Sequence, residues 1–448
     1  MNTIDQALDY LYSFINYEVD SSFSYTALNY NVQRTLRLLH LLGDPHQYTK
    51  IIHVAGTKGK GSVCKMLSVL LNVQHYRTGL FTSPHIQKVN ERIVVNENQI
   101  QDHEIVQLAN MLEPLVNRFP IQDKPTTFEL FTVMAMQYFK MKKVQYSILE
   151  TGMGGRFDST NFSDPELSII TSISYDHMDK LGTRIEDIAF EKAGIIKPGK
   201  PVVIGYQKLD VHNILTSRAL QQHSPWYDAS ELCTYHITDI SSSGARFDAE
   251  VYGTGYRDLF ISLVGEHQVE NAVSALLALK VLGLLPEEEK IKKALAGIDF
   301  PTRLELIEAQ TRFLLDSAHN HDSSRALAAA VKKAYHFHRL ISVVGIVKGK
   351  DVHGILKNIA SISQKIIITE PVTHKQLDTE YVYRTACSIA PRVVLVRDIR
   401  EAIQYAAALA TDKDLVLITG SFYTTSPARE YIRGMIRGGA FSGSGKKE

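Results

Sequence analysis

Three apolar runs rich in branched residues, Ile51–Ala55, Val144–Glu150 and Leu167–Ser174, alternate with helix-like stretches. That is the pattern of parallel strands buried on both faces of an α/β sheet. Each run ends in Gly, Ser, Thr, Asp or His, and open α/β sheets bind their ligands at the carboxyl ends of such strands. Between Tyr235 and Val264 the texture changes to short alternating segments broken by Ser241-Ser242-Ser243-Gly244 and Gly253-Thr254-Gly255, which predicts a small antiparallel patch. His267–Leu282 reads as a helix. A second is expected over Pro286–Gly297, with proline at the first helical position, glutamates in the first turn and glycine at the end. Beyond Pro301 the alternation restarts, with strands expected at Phe313–Asp316, Arg339–Val347, Lys365–Glu370, Val393–Val396 and Leu415–Gly420. A boundary near Asp299 therefore separates a domain of residues 1–298 from a doubly wound domain of residues 299–437. Residues 438–448, rich in Gly, Ser and Lys, are expected to form a flexible tail.

Composition agrees with this division. The 448 residues correspond to two or three domains at about 150 residues each, and 44% hydrophobic with 22% charged residues is ordinary globular composition. The formal charge of +1 argues against a partner that needs a broad positive field, such as nucleic acid or an anionic membrane. It leaves room for a local anion site. Cys64, Cys233 and Cys387 have no metal-ligand or redox spacing and are expected to be free thiols of a reducing compartment. The N-terminus carries Asp5 and Asp9 and shows no secretory signal. The longest strongly apolar stretch, Met66–Val73, is far shorter than the ~20 residues of a membrane span, so a cytoplasmic protein is expected.

The strand Ile51–Ala55 runs into Gly56-Thr57-Lys58-Gly59-Lys60-Gly61-Ser62 and then into an apolar helix. Glycines that let backbone N–H groups approach, a helix N-terminus and a lysine are what a polyphosphate cradle requires. The series is not a standard Walker A, since Val54 stands six before Lys60 and Gly61 precedes the hydroxyl of Ser62. A structural strand-to-helix turn is the competing reading. Glu150, at the end of an apolar strand and followed by Gly152, Gly154 and Gly155, suits a Mg²⁺ ligand beside phosphates; a strand-end carboxylate satisfying nearby amides is the alternative. His177, beside Asp176, and Lys192, on a helical stretch, read on composition alone as structural and surface residues.

Taken in order, these segments resemble the folylpolyglutamate synthase and dihydrofolate synthase family, a branch of the Mur-type ATP-dependent amide ligases. The resemblance is carried by His53–Ser62, Phe81-Thr82-Ser83-Pro84-His85, Glu91-Arg92-Ile93, Glu150–Asn161, Asp176-His177, Glu191–Lys197, Gly265–Gln268 with Asn271-Ala272, Arg303-Leu304-Glu305, Asp316–Asn320 and Thr419-Gly420-Ser421. It implies an N-terminal P-loop-type ATPase domain, with a mostly parallel sheet and the small antiparallel patch, and a C-terminal Rossmann-like α/β domain closing over a cleft. It further implies that Gly59, Lys60, Gly61 and Ser62 hold the ATP phosphates, with Asn271, Arg303 and Asp316 as further ATP contacts. Ser83, Glu150 and His177 would ligate Mg²⁺, and Lys192 would carry a carbamate. Catalysis would rest on Lys60, Lys192, His177 and Glu150. Thr126, Thr127, Phe128 and Glu129 align with a pterin-contacting segment, and His319 and Ser421 are assigned to the glutamate side.

The implied activity joins L-glutamate to a carboxylate of reduced folate or dihydropteroate through an acyl phosphate. It would be carried out by a monomer with no nucleic-acid or membrane partner. Polyglutamylation is expected, with dihydrofolate synthesis as a second activity. Another Mur-type amino-acid ligase and a catalytically silent nucleotide-binding homologue are the competing readings. The chain departs from the commonest family pattern at Lys58, where Asn is usual, at Thr302 and Ser317, where Gly is usual, and around Val347–Asp351.

Overall fold

The structure, a computed structural model, describes residues 1–17, 23–373 and 378–437. The stretch 438–448, expected to be a tail, lies outside the described residues. The chain divides into two compact units. One comprises Met1–Thr238, Arg246–Ile261 and His267–Ile298, and the other comprises Asp239–Ala245, Ser262–Glu266 and the chain from Asp299 onward.

The first unit is built on strands β1 (Lys50–Ala55), β2 (Thr78–Phe81), β3 (Ile93–Val95), β4 (Asn98–Gln99), β5 (Tyr146–Glu150), β6 (Leu167–Ile170), β7 (Val202–Ile204) and β8 (Trp226–Asp228). They form one sheet in the order β4-β3-β2-β5-β1-β6-β7-β8. From β2 to β8 every pairing is parallel, while β3 and β4 add an antiparallel edge. Val54 stands opposite Glu150 and Ala55 opposite Ile170, so the loops after β2, β5, β1 and β6 leave the same edge side by side.

Both faces of this sheet are covered, which is why β1, β5 and β6 read as unbroken apolar runs. One core gathers Phe81 and Leu149 with Leu108 and Leu112 of the helix Asp102–Val116 and with Leu130, Phe131 and Met134 of the helix Thr127–Met141. Another gathers Ile170 and Ile204 with Ile188 of the helix Ile185–Ala193 and Leu215 of the helix Leu209–Gln221. Burying each such side chain contributes about 1.5–3 kcal/mol.

Strands β9 (Cys233–Ser241), β10 (Gly244–Val251) and β11 (Thr254–Ile261) form a three-stranded sheet in the order β11-β10-β9. In the second unit, β12 (Glu305–Glu308), β13 (Arg312–Leu315), β14 (Leu340–Val344), β15 (Lys365–Ile368), β16 (Val393–Leu395) and β17 (Leu415–Thr419) form a sheet in the order β12-β13-β17-β14-β15-β16. It is parallel except at the β12–β13 edge. The fold class is thus mixed α/β with a large, mostly parallel sheet and a separate C-terminal α/β unit, as the sequence pattern predicts.

Several expected elements are corrected at their ends: the strand expected over Arg339–Val347 spans Leu340–Val344 and that over Val144–Glu150 starts at Tyr146. The run Leu167–Ser174 is strand only to Ile170, because the carbonyl of Ser172 turns to accept the amides of Thr57 and Lys58 at 2.9 and 3.0 Å. The helix expected from Pro286 starts at Glu288, with Glu287 as its cap residue, so the proline lies outside it. All three cysteines are free. Among the described residues no helix is long and apolar enough to cross a membrane.

Candidate active site

The loop after β1 is shaped for close approach. Gly56 (φ +153°) and Gly59 (φ +82°) adopt backbone conformations that side chains disfavour. A Cβ on Gly56 would stand 1.8 Å from Thr171 Oγ1, and one on Gly59 would stand 2.3 Å from Asn271 Oδ1. Thr171 in turn donates its hydroxyl to the Lys58 carbonyl at 2.6 Å. The helix Lys60–Asn72 starts at once, and its first internal bond runs from Val63 N to the Gly59 carbonyl at 2.8 Å. The amides of Lys60, Gly61 and Ser62 precede that bond and have no intrahelical partner, so they form a ready anion seat.

Two lysines meet beneath this loop. Lys60 Nζ donates to the carbonyl of Gly56 at 3.2 Å and Lys192 Nζ donates to the same oxygen at 2.8 Å. Lys192 is 4% exposed. Its burial, reinforced by the charge of Lys60, pushes its ammonium down to about 7. The surface-helix reading of this lysine is therefore wrong.

Glu150, 5% exposed at the end of β5, accepts the amide of Ser83 through Oε2 at 3.1 Å. His177 follows β6, is exposed, and sits in the left-handed region (φ +50°) with its amide on Asp176 Oδ1 at 3.0 Å. The other oxygen of Asp176 meets Lys58 Nζ at 3.4 Å. Ser83, Glu150 and His177 thus follow β2, β5 and β6 along one sheet edge, with Ser83 and Glu150 in direct contact and the phosphate loop between Glu150 and His177. The carboxylate and the hydroxyl offer the oxygen donors that suit Mg²⁺ beside phosphates, and the imidazole adds a nitrogen donor. Among the described residues, the three-member grouping of His, Cys, Asp or Glu ligand atoms lies elsewhere, at His212, Asp228 and Glu231. There Asp228 caps the helix Ala229–Leu232 and pairs with His212 at 2.8 Å.

The loop after Glu150 is locked from several sides. Arg156 holds Glu191 through two hydrogen bonds of 3.1 and 2.6 Å, fixing the helix end that carries Lys192. The hydroxyl of Tyr25 accepts the amides of Gly155 and Phe157 at 3.4 and 3.2 Å. Fully buried His53 on β1 reaches Thr160 Oγ1 through Nε2 at 2.8 Å and Ser163 Oγ through Nδ1 at 3.1 Å. Thr160 gives its own hydroxyl proton to Asp158 at 2.6 Å, so Nε2 is the donor to Thr160. Burial pushes the His53 pKa down to about 3, assisted by Lys197. The sequence gives no role to Arg156, Tyr25 or His53, whose partners lie far away along the chain.

The pterin-contacting segment has a second duty. Thr126 and Glu129 form a capping box on the helix Thr127–Met141, and Thr127 Oγ1 donates to the Leu11 carbonyl at 3.0 Å. Burial pushes the Glu129 carboxyl up against the pull of Arg34, whose guanidinium lies 2.8 Å away. Phe128 alone of the four is half-buried; its ring faces Phe81 at 5.8 Å, and a Cβ on Gly152 would touch it at 2.6 Å.

In the second unit, Asp316 accepts the amides of Leu304 and Ala318 at 3.1 and 2.9 Å. Arg303 lies over the Phe422 ring at 5.0 Å, and the ring of His319 stands 6.1 Å from the same phenyl. Ser421 is buried, with its hydroxyl on the Gly345 carbonyl at 3.0 Å.

The sequence matches the Mur ligase middle domain over residues 54–279 and the Mur ligase glutamate ligase domain over residues 302–422. A dihydrofolate synthase/folylpolyglutamate synthase of Bacillus subtilis is 32% identical across 94% of this chain and 100% of its own length. The chain belongs to the folylpolyglutamate and dihydrofolate synthase family of Mur ligases. The family resemblance carried by the motifs is borne out. Among solved structures, a Mycobacterium tuberculosis folylpolyglutamate synthase complexed with ADP superposes with a TM-score of 0.88 at 30% identity, covering 95% of this chain and 97% of that one. The Escherichia coli family member in complex with DHPP and ADP gives 0.84 at 25% identity, covering 97% and 98%.

Proposed function

We propose that this chain joins L-glutamate to a carboxylate of a folate or of dihydropteroate at the expense of ATP, with Mg²⁺. The observation that carries the reading is Lys192 Nζ, buried against the Gly56 carbonyl beside Lys60. A cation is costly there, and a neutral amine is the form that adds CO₂, releasing one proton as the carbamate forms. The carbamate would place a negative charge next to Lys60, where a positive one is disfavoured.

The amides of Lys60, Gly61 and Ser62 and the ammonium of Lys60 would hold the ATP phosphates, with Asn271 packed against Gly59 to keep the loop in place. Arg303 and Asp316 of the second unit are assigned to further nucleotide contacts. Ser83, Glu150 and His177 would hold Mg²⁺, which when bound neutralises charge on the transferring phosphoryl group. The folate carboxylate takes that group and becomes an acyl phosphate. The amine of glutamate then attacks the carbonyl carbon and phosphate leaves. Phe128 is assigned to the pterin, with Thr126, Thr127 and Glu129 holding its helix start, and His319 and Ser421 to the glutamate side, His319 through its ring and Ser421 by shaping the Gly345 turn. The protein is proposed to act as a cytoplasmic monomer.

The test is glutamate-dependent ADP release with dihydropteroate and with tetrahydrofolate as acceptor. Release with tetrahydrofolate supports polyglutamylation, and release with dihydropteroate supports the second activity. No release with either refutes the reading and favours a silent nucleotide-binding homologue.

A further inference from the structure

The loop that carries Ser83 is shaped by two adjacent residues, Glu91 and Arg92. The Glu91 carboxylate accepts three consecutive amides, those of Ile86, Gln87 and Lys88, at 2.6, 2.9 and 3.0 Å. Arg92, 2% exposed, lies over the Phe131 ring at 5.3 Å and donates Nε–H to His85 Nδ1 at 2.9 Å. Guanidinium is only a donor, so Nδ1 of His85 is an acceptor and the ring hydrogen sits on Nε2. A buried arginine therefore turns half-buried His85 into a neutral hydrogen-bond donor two residues past Ser83.

The position of this donor matters. The loop leaves β2, two strands from β1, or about 10 Å from the phosphate loop at the usual strand spacing. Glu150, between them, accepts the amide of Ser83, the second residue of this loop. On the ligase reading the acceptor carboxylate meets the terminal phosphoryl group on the side of Ser83 and Glu150, the proposed Mg²⁺ ligands, which is the side from which this loop leaves. There a neutral N–H can hold an oxyanion without adding a positive charge beside a divalent cation.

We propose that His85 Nε2–H binds the reacting carboxylate of the acceptor substrate, with Glu91 and Arg92 as its positioning residues. The proposal rests on the ligase reading above and names the residue that receives the acceptor. The test compares wild type with His85→Leu, which removes the donor, and His85→Gln, which restores one near the Nε2 position. Dihydropteroate and tetrahydrofolate affinities are measured with a non-hydrolysable ATP analogue present, alongside the KM values for ATP and acceptor. His85→Leu is expected to weaken acceptor binding at least tenfold with the KM for ATP within twofold of wild type, and His85→Gln to recover most of the loss. Arg92→Lys, which keeps the charge but loses the Nε geometry, is expected to fall between them.

Acceptor affinity unchanged in His85→Leu, with wild type active, overturns the role of His85 and leaves the ligase reading intact. Equal losses for acceptor and ATP in both His85 variants also overturn it, since a merely structural role would produce them. A wild type that releases no ADP with either acceptor removes both proposals together.

Discussion

The hydroxyl of Ser317 donates to the hydroxyl of Thr302 at 3.0 Å, and both side chains are buried. These are the two positions at which the family resemblance leads one to expect glycine. Thr302 holds φ at +57°, a conformation glycine tolerates better, immediately before Arg303, and Leu304 after it holds +51°. Ser317 also meets Thr425 Oγ1 at 2.7 Å, so a chain of hydroxyls runs through Thr302, Ser317 and Thr425. Ser317→Ala leaves buried hydroxyls short of a partner and is expected to cost about 1–3 kcal/mol. Thr302→Gly, which relieves the backbone, is expected to cost less. In a double-mutant cycle read by denaturant unfolding the two should couple by at least about 0.5 kcal/mol; strictly additive effects would show that the pair does not act as a unit.

Lys192 gives a pH signature. Its folded pKa, about 7, lies below the ordinary lysine value, so between those limits the unfolded chain binds more protons and stability rises with pH. Lys192→Met, compared with wild type in CO₂-free buffer, should therefore be the more stable at pH 7 by on the order of a few kcal/mol, with the advantage shrinking toward pH 10. The same variant should lose ligase activity, and Lys192→Ala should regain part of it with added short carboxylates. A stability difference independent of pH would contradict the buried-amine account.

His53 predicts the opposite end of the scale. Held neutral with a pKa near 3, it binds no proton in the folded state at pH 5, whereas an unfolded histidine titrates near 6.5. Stability conferred by this site is complete above that value and is lost as pH falls from 6.5 toward 3. His53→Gln should flatten the acid limb of a Tm-versus-pH curve across that window while lowering Tm at pH 7, because Thr160 and Ser163 lose their fitted partner.

Gly59 tests the phosphate loop. Gly59→Ala brings a Cβ against Asn271 Oδ1 and forces alanine to φ +82°, so ADP affinity measured by calorimetry should fall more than tenfold. The double variant with Asn271→Ala removes the clash but not the backbone strain and should recover only part of it. Wild-type ADP affinity in Gly59→Ala would place the nucleotide elsewhere.

The central strands and the phosphate loop were legible because their signals are local: β1 and β5 are long apolar runs that end in glycine-rich loops. Strands β2, β3, β4, β7 and β8 have two to four residues each, too few for any periodicity to show. Pairs such as Arg156 with Glu191, or His53 with Thr160, join positions far apart in the chain and leave no local trace. Thr126 and Glu129 are different. Their Thr-x-x-Glu spacing is a capping-box signature readable without a structure, yet the family resemblance drew attention to substrate contact instead. Conversely, composition alone reads Lys192 as a surface lysine, its motif implies only a carbamate, and its burial is visible in the structure alone.

The bond from Thr57 and Lys58 to the Ser172 carbonyl has a consequence for how the protein is made. During synthesis the phosphate loop emerges more than a hundred residues before the turn at Ser172 that braces it. Both neighbours of β1, β5 and β6, also arrive late, so the loop cannot take its final shape on the short nascent chain. Chains arrested before the segment through Ser172 has left the ribosome should therefore neither bind ADP nor be protected by it from proteolysis.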